Sequence, residues 1–116
     1  MGTHSGGCHC GAVRWRAETE ISQAISCNCS ICKKRGSLLH FAPEKDFTLE
    51  KGEAALSDYT FNHHVIHHLF CKTCGILSFG RGTGPDGTKM VAINVRCIDA
   101  LDLAALKIVE FDGASR

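Results

Sequence analysis

Cys8, Cys10, Cys27, Cys29, Cys32, Cys71, Cys74 and Cys97 are the residues of this chain best suited to chemistry. Seven of them fall into three tight clusters: Cys8-His9-Cys10-Gly11, Cys27-Asn28-Cys29-Ser30-Ile31-Cys32 and Cys71-Lys72-Thr73-Cys74-Gly75. Thiolates at such spacing suit zinc, which takes tetrahedral sulfur ligands at about 2.3 Å. Two tight turns giving two sulfurs each close a four-cysteine site. Cys8 and Cys10 with Cys71 and Cys74 are therefore expected to hold a structural zinc that staples the N-terminal strand to the middle of the chain. Gly11 and Gly75 follow these turns, where a positive φ is easiest for glycine. Cys27, Cys29 and Cys32 are a different set. Three thiolates on a tetrahedral ion leave one position open, as in catalytic zinc sites. Two other readings stand beside this one. A second closed site would be completed by Cys97 or a histidine, and Cys29-Ser30-Ile31-Cys32 has the spacing of a redox pair. The redox reading lacks its usual strand and long helix. Cys97, alone after a strand, defaults to a buried inert thiol.

The rest of the chain must position these clusters. Its 116 residues suit one domain, 1–116. Hydrophobic residues at 44% and charged residues at 22% give a globular composition. No apolar run reaches the ~18 residues of a membrane span. Met1 to Gly7 has neither a basic start nor an apolar stretch, so the expectation is a cytoplasmic protein with reduced thiols. The formal charge of +1 offers no footprint for nucleic acid or an anionic membrane. Two divalent ions on seven thiolates would move it to about −2. Val13, Trp15 and Ala17 alternate with Arg14, Arg16 and Glu18, the pattern of a half-buried strand over Ala12 to Ala17. Further strands are expected over 37–42, 47–50, 60–70, 76–79, 90–95 and 107–111, with a short helix over Asp99 to Leu106. The fold class is mainly β, a small zinc-stapled β-sheet domain of seven or eight strands. Metal cross-links would offset the limited core of so small a domain.

Three segments carry a family resemblance: Cys-His-Cys-Gly-Ala-Val from Cys8, Cys-Asn-Cys-Ser-Ile-Cys-Lys-Lys-Arg-Gly from Cys27, and Phe-Cys-Lys-Thr-Cys-Gly from Phe70. Together they resemble the glutathione-dependent formaldehyde-activating enzyme family, which includes the centromere protein V group. The likeness runs from Gly7 to about Glu110 and takes in Ala92 to Cys97 as a late strand. It implies an Mss4-like zinc fold. It implies a structural zinc on Cys8, Cys10, Cys71 and Cys74, and a catalytic zinc on Cys27, Cys29 and Cys32 whose open position receives a thiol. The implied activity is that of a carbon–sulfur lyase acting on an adduct such as S-hydroxymethylglutathione. The alternative is a non-catalytic zinc module for protein interaction. The family's glutathione contacts are not carried over, because this chain is close to the minimal domain.

Lys33, Lys34 and Arg35 directly follow Cys32, where a cationic rim would attract the carboxylates of glutathione or a similar thiol. The same three residues would equally serve as a solvated basic turn. His63, His64, His67 and His68 alternate between the two faces of one strand, which favours polar strand positions over a metal cluster. One of them facing the open site would be placed for acid–base work. Gly82-Thr83-Gly84-Pro85-Asp86-Gly87 matches a dinucleotide fingerprint in letters only. A strand, not a helix, is expected after it, so it reads as a hairpin loop.

Overall fold

In the computed structural model, residues 2–60, 66–84 and 86–112 are described, and they contain ten strands and one short α-helix. The strands are β1 (Gly2–Gly7), β2 (Arg14–Thr19), β3 (Gln23–Cys27), β4 (Leu39–Pro43), β5 (Phe47–Lys51), β6 (Leu56–Tyr59), β7 (His67–Cys71), β8 (Phe79–Thr83), β9 (Lys89–Asn94) and β10 (Lys107–Phe111). Helix α1 is Ser30–Arg35. The mainly β expectation holds, with more strands than the seven or eight read from the pattern.

Two sheets form the body. A three-stranded sheet has the order β1-β2-β5, and a seven-stranded sheet the order β10-β3-β4-β9-β8-β7-β6. Alternation running from Val13 into β2 puts Val13, Trp15 and Ala17 into the core, each with no exposed surface. Phe47 on β5 bridges the layers, with its ring 5.5 Å from Trp15 and 4.7 Å from Phe79. Trp15 Nε1 donates to Ser78 Oγ at 3.1 Å, so its one polar atom is satisfied in the apolar interior. Behind Phe79 lie Val91 and Ile93 of β9, both fully buried. Burying such side chains contributes about 1.5–3 kcal/mol each.

The small residues of β1 have a steric cause. A Cβ on Gly6 would stand 2.4 Å from the Cys97 carbonyl oxygen, and one on Gly7 would stand 2.0 Å from that of Val13. Bare backbone lets β1 enter beside the Trp15 ring and deliver Cys8 to the core edge.

Several expectations need correcting. The strand expected over 76–79 begins only at Phe79, as β8. Asp99 to Leu106 is not an α-helix. Only a 3-10 turn, Leu103–Ala105, forms there, capped by Asp102. Ala100 has φ of 57°, which breaks a helix, and Asp99 N donates to Ser5 O, which ties the segment to β1 instead. The real helix is α1, which the sequence pattern did not single out. The long strand over 60–70 is β7 alone among the described residues, and Phe61 to Val65, with His63 and His64, lie outside them. The glycine-rich hairpin loop is present: Gly84 N donates to Thr88 O and Gly87 N to Gly84 O, with β8 before it and β9 after. Pro85 lies outside the described residues.

Candidate metal centre

The end of β1 brings Cys8 to the core edge, and the turn after it holds Cys10. Cys71 ends β7, and Cys74 sits in the turn that follows. Their four sulfurs all lie within 4.8 Å of one another. Four sulfurs at 2.3 Å from a tetrahedral ion stand about 3.8 Å apart. The separations of 3.7 Å for Cys8–Cys10 and 3.6 Å for Cys10–Cys71 fit that geometry. Cys8 and Cys71 are buried, Cys74 is half-buried and Cys10 is exposed.

Backbone amides point at these sulfurs. Val13 N donates to Cys8 Sγ at 3.3 Å and Thr73 N to Cys71 Sγ at 3.4 Å. The amides of Cys10 and Ile76 hold the Cys74 thiol down at about 6. Thiolates are the form a metal takes. Gly11 and Gly75 have φ of 83° and 80°, the left-handed geometry that both turns need.

The second set sits at the other side of the chain's path. Cys27 ends β3, Cys29 caps the start of α1, and Cys32 lies one turn inside it. Their sulfurs also lie within 4.8 Å of one another, and all three residues are half-buried. Among the described residues, no fourth cysteine, histidine or carboxylate joins them. Cys29 N donates to Cys27 Sγ at 3.4 Å. Burial opposes charge on Cys29, but the amide of Cys32 and the neighbouring thiols outweigh it and lower that thiol. Burial, then the crowded Cys29, pushes Cys32 up to about 12. The loop is braced from β10: Asn28 N donates to Phe111 O at 3.1 Å, and Asn28 Nδ2 to Asp112 Oδ1 at 3.0 Å.

With both clusters in place, the family match carries weight. The sequence model of the glutathione-dependent formaldehyde-activating enzyme family matches residues 3–110. The chain belongs to this family. A crystal structure of a Rhodobacter sphaeroides protein is similar to it, with TM-score 0.80 and 30% sequence identity, over 91% of this chain and 97% of that one. The fold of this formaldehyde-activating-type protein is therefore that of its family, and its two cysteine clusters are able to hold metal.

The remaining residues sort by position. Lys33, Lys34 and Arg35 are all exposed on α1, which carries no acidic residue. Arg35 differs from the two lysines, because its guanidinium lies 5.6 Å from the centroid of the Phe70 ring on β7. A guanidinium over an aromatic face is attracted by the ring quadrupole. His68 shares that neighbourhood, and burial, then Arg35, lowers its pKa. His67 lies on the opposite strand face with Nδ1 2.7 Å from Asp58 Oδ2. Neither described histidine of this run belongs to a metal-ligand group. His9 is exposed in its turn. Cys97 joins neither cluster. Its thiol points at Leu77 O, 3.9 Å away, and burial pushes it up to about 11. Sequence reading missed the Arg35–Phe70 stack and the Asn28 brace. Asn28, a polar residue between two cysteines, was the available sign of the second.

Proposed function

We propose that this protein makes or breaks the carbon–sulfur bond of a thiol–aldehyde adduct such as S-hydroxymethylglutathione, as a lyase of the formaldehyde-activating type. The observation that carries it is the contrast in ligand number: four sulfurs in one cluster, three in the other, at the same close spacing. On this reading the whole chain works as one domain in a reducing compartment. Cys8, Cys10, Cys71 and Cys74 hold a structural zinc, and Cys27, Cys29 and Cys32 hold a second zinc with one open position. Zinc bound there supplies a lowered thiol pKa, so that a substrate thiol arrives as thiolate.

The chain's own residues do the rest. Three anionic ligands disfavour water activation and suit thiol handling, so hydrolysis is the weaker use of the site. Lys33, Lys34 and Arg35 draw the carboxylates of a glutathione-like thiol toward α1. Arg35 follows Cys32 by three residues, on the same helix face. In the synthetic direction the thiol gives up its proton, its sulfur bonds to the carbonyl carbon, the carbonyl π pair moves to oxygen, and oxygen takes up one proton, so that no proton is gained or lost overall. The reverse step returns aldehyde and thiol.

Cobalt substitution tests this. Added glutathione should change the thiolate-to-cobalt absorption of the wild type and leave that of Cys29→Ser unchanged. Formation of the hydroxymethyl adduct, followed by NMR, should depend on the same residue. Two equally inert metals with no spectral response to thiol would favour the non-catalytic binding module instead.

A further inference from the structure

The outer face of the seven-stranded sheet, away from the Trp15–Phe79 core, carries a cavity of about 660 Å3. Phe41, Ile66, Met90 and Ala92 supply its apolar lining, and Gly82 leaves bare backbone in its floor. Its charged neighbours are engaged: Arg81 donates to Glu44 at 2.6 Å, and Asp86 accepts from Thr88 N at 3.0 Å.

Strand pairing places this cavity relative to the cysteines. One cross-strand row reads Phe41, Ala92, Gly80, His68 and Tyr59 across β4, β9, β8, β7 and β6. Directly paired residues share a face. Large side chains therefore flank a floor made of Ala92 and Gly80. The next row continues with Met90 beside Gly82. In the other direction, Phe70 follows His68 by two residues on the same face, under the Arg35 guanidinium. The Arg35 guanidinium, reaching from the helix that carries Cys32, thus lies over one end of a trough whose other end is the cavity. Ile25 pairs with Leu39, which puts Cys27 on this face too. From the level of Cys27 to that of Phe41 is four residues along the strands, about 14 Å.

Gly82 has no packing reason among the described residues. Glycine inside a strand weakens it and often marks a close approach by a ligand or another backbone. Gly80 has a packing reason, since a Cβ there would lie 3.0 Å from the His67 carbonyl oxygen. At Gly82, among the described residues, a Cβ would meet nothing nearer than Ile66 Cγ1 at 3.5 Å, an ordinary contact. The backbone there needs no positive φ. What a side chain at Gly82 would remove is the open floor.

We infer that this trough receives an apolar, unbranched chain borne on the carbon that is bonded to the substrate sulfur. The inference rests on the thiol-adduct reading of the three-cysteine site and extends its substrates from one-carbon to longer aldehyde-derived groups. Gly82 and Ala92 are then the residues that set chain-length specificity.

Calorimetric titration of the zinc-loaded protein with glutathione and with S-methyl-, S-octyl-, S-dodecyl- and S-hexadecylglutathione, the last long enough to pass Phe41 and reach Gly82, tests it. Affinity should rise roughly two- to fourfold for each added methylene until the trough is filled. Gly82→Leu should flatten that rise and leave S-methylglutathione within about twofold of wild type, since the change lies beyond its reach. Ala92→Leu is the second variant, should Gly82→Leu fail to fold by circular dichroism. A flat series in the wild type would overturn the inference. Glutathione itself, titrated alongside, reports the thiol site, and the slope reports the trough. Glutathione binding without a slope would remove only the trough. A slope without measurable glutathione binding would support the trough and count against the thiol reading.

Discussion

The two cysteine clusters use the same atoms at the same spacing, yet they sit in opposite surroundings. The four-sulfur set is built into the sheets. Cys8 and Cys71 are buried, and the set joins the end of β1 to the end of β7, 61 residues apart between Cys10 and Cys71. The three-sulfur set hangs on a loop and a six-residue helix with no buried residue. Ligands that link distant elements tie metal binding to folding, whereas ligands from one short segment can be lost locally. This difference supports the proposed division, with scaffold duty for the first set and chemistry for the second.

The harshest way to break that contrast is to remove one ligand from each set. Cys74→Ser or Cys8→Ser should unfold or aggregate the protein. A structural zinc site contributes on the order of 10 kcal/mol, comparable to the whole stability of a small domain. Loss of the cooperative thermal transition would show it. Cys29→Ser should keep a cooperative transition and lose the thiol-dependent cobalt signal. Equal destabilisation by Cys29→Ser and Cys74→Ser would end the division of labour.

A milder test leaves the chain intact. A zinc-binding dye in excess should withdraw metal in two phases. The fast phase should slow when glutathione is present and vanish in Cys29→Ser. A single slow phase would mean two equivalent sites.

Smaller still is the effect of the cationic rim. Arg35→Leu should raise KM for glutathione about fivefold, the scale of a partly exposed charge pair, and leave KM for uncharged 2-mercaptoethanol unchanged. An equal rise for both thiols would assign Arg35 a structural part through Phe70 alone.

The smallest expected effect concerns the sheets that carry both sites. His40 on β4 lies 2.9 Å from Thr19 Oγ1 on β2, and burial, then nearby His4, lowers its pKa below the ordinary 6.5. A histidine lowered in the folded state binds fewer protons there than in the unfolded chain. Its stabilising contribution is full above pH 6.5 and falls as the pH drops through the lowered value. Urea midpoints should therefore decline from pH 7 to pH 5 less in His40→Asn than in the wild type. Taking the difference between the two removes the acid loss of metal common to both.

Much of this site was legible in the sequence because metal ligation is written in short spacing. Cys8-His9-Cys10 and Cys71-Lys72-Thr73-Cys74 announce thiolate turns whatever sheet carries them. Alternation exposed β2 because one of its faces is dry. Where tertiary contacts decide, sequence was silent or misleading. Asp99 to Leu106 has the alanine and leucine of a helix, yet Leu101, Leu103 and Leu106 pack separately against the core and Ala100 takes positive φ. Strand β1 showed no periodicity, since Gly6 and Gly7 are small to admit a neighbouring backbone. Helix α1 has no fully buried residue, so it has no apolar stripe to detect. The trough was hidden for a related reason: it is defined by missing side chains on paired strands, and pairing is not written locally.

The brace on the three-cysteine loop also has an order in time. Strand β10 lies parallel to β3, and its last residue, Phe111, receives the Asn28 amide. A chain emerging from the ribosome presents all four ligands of the scaffold set once Cys74 is out. The loop of Cys27 to Cys32 must wait for residues 107–112 before it is held. On the proposed two-zinc reading, synthesis itself would separate the two loading events: the ion that ties the sheets would be taken first, and the exchangeable one fitted to a fold already made.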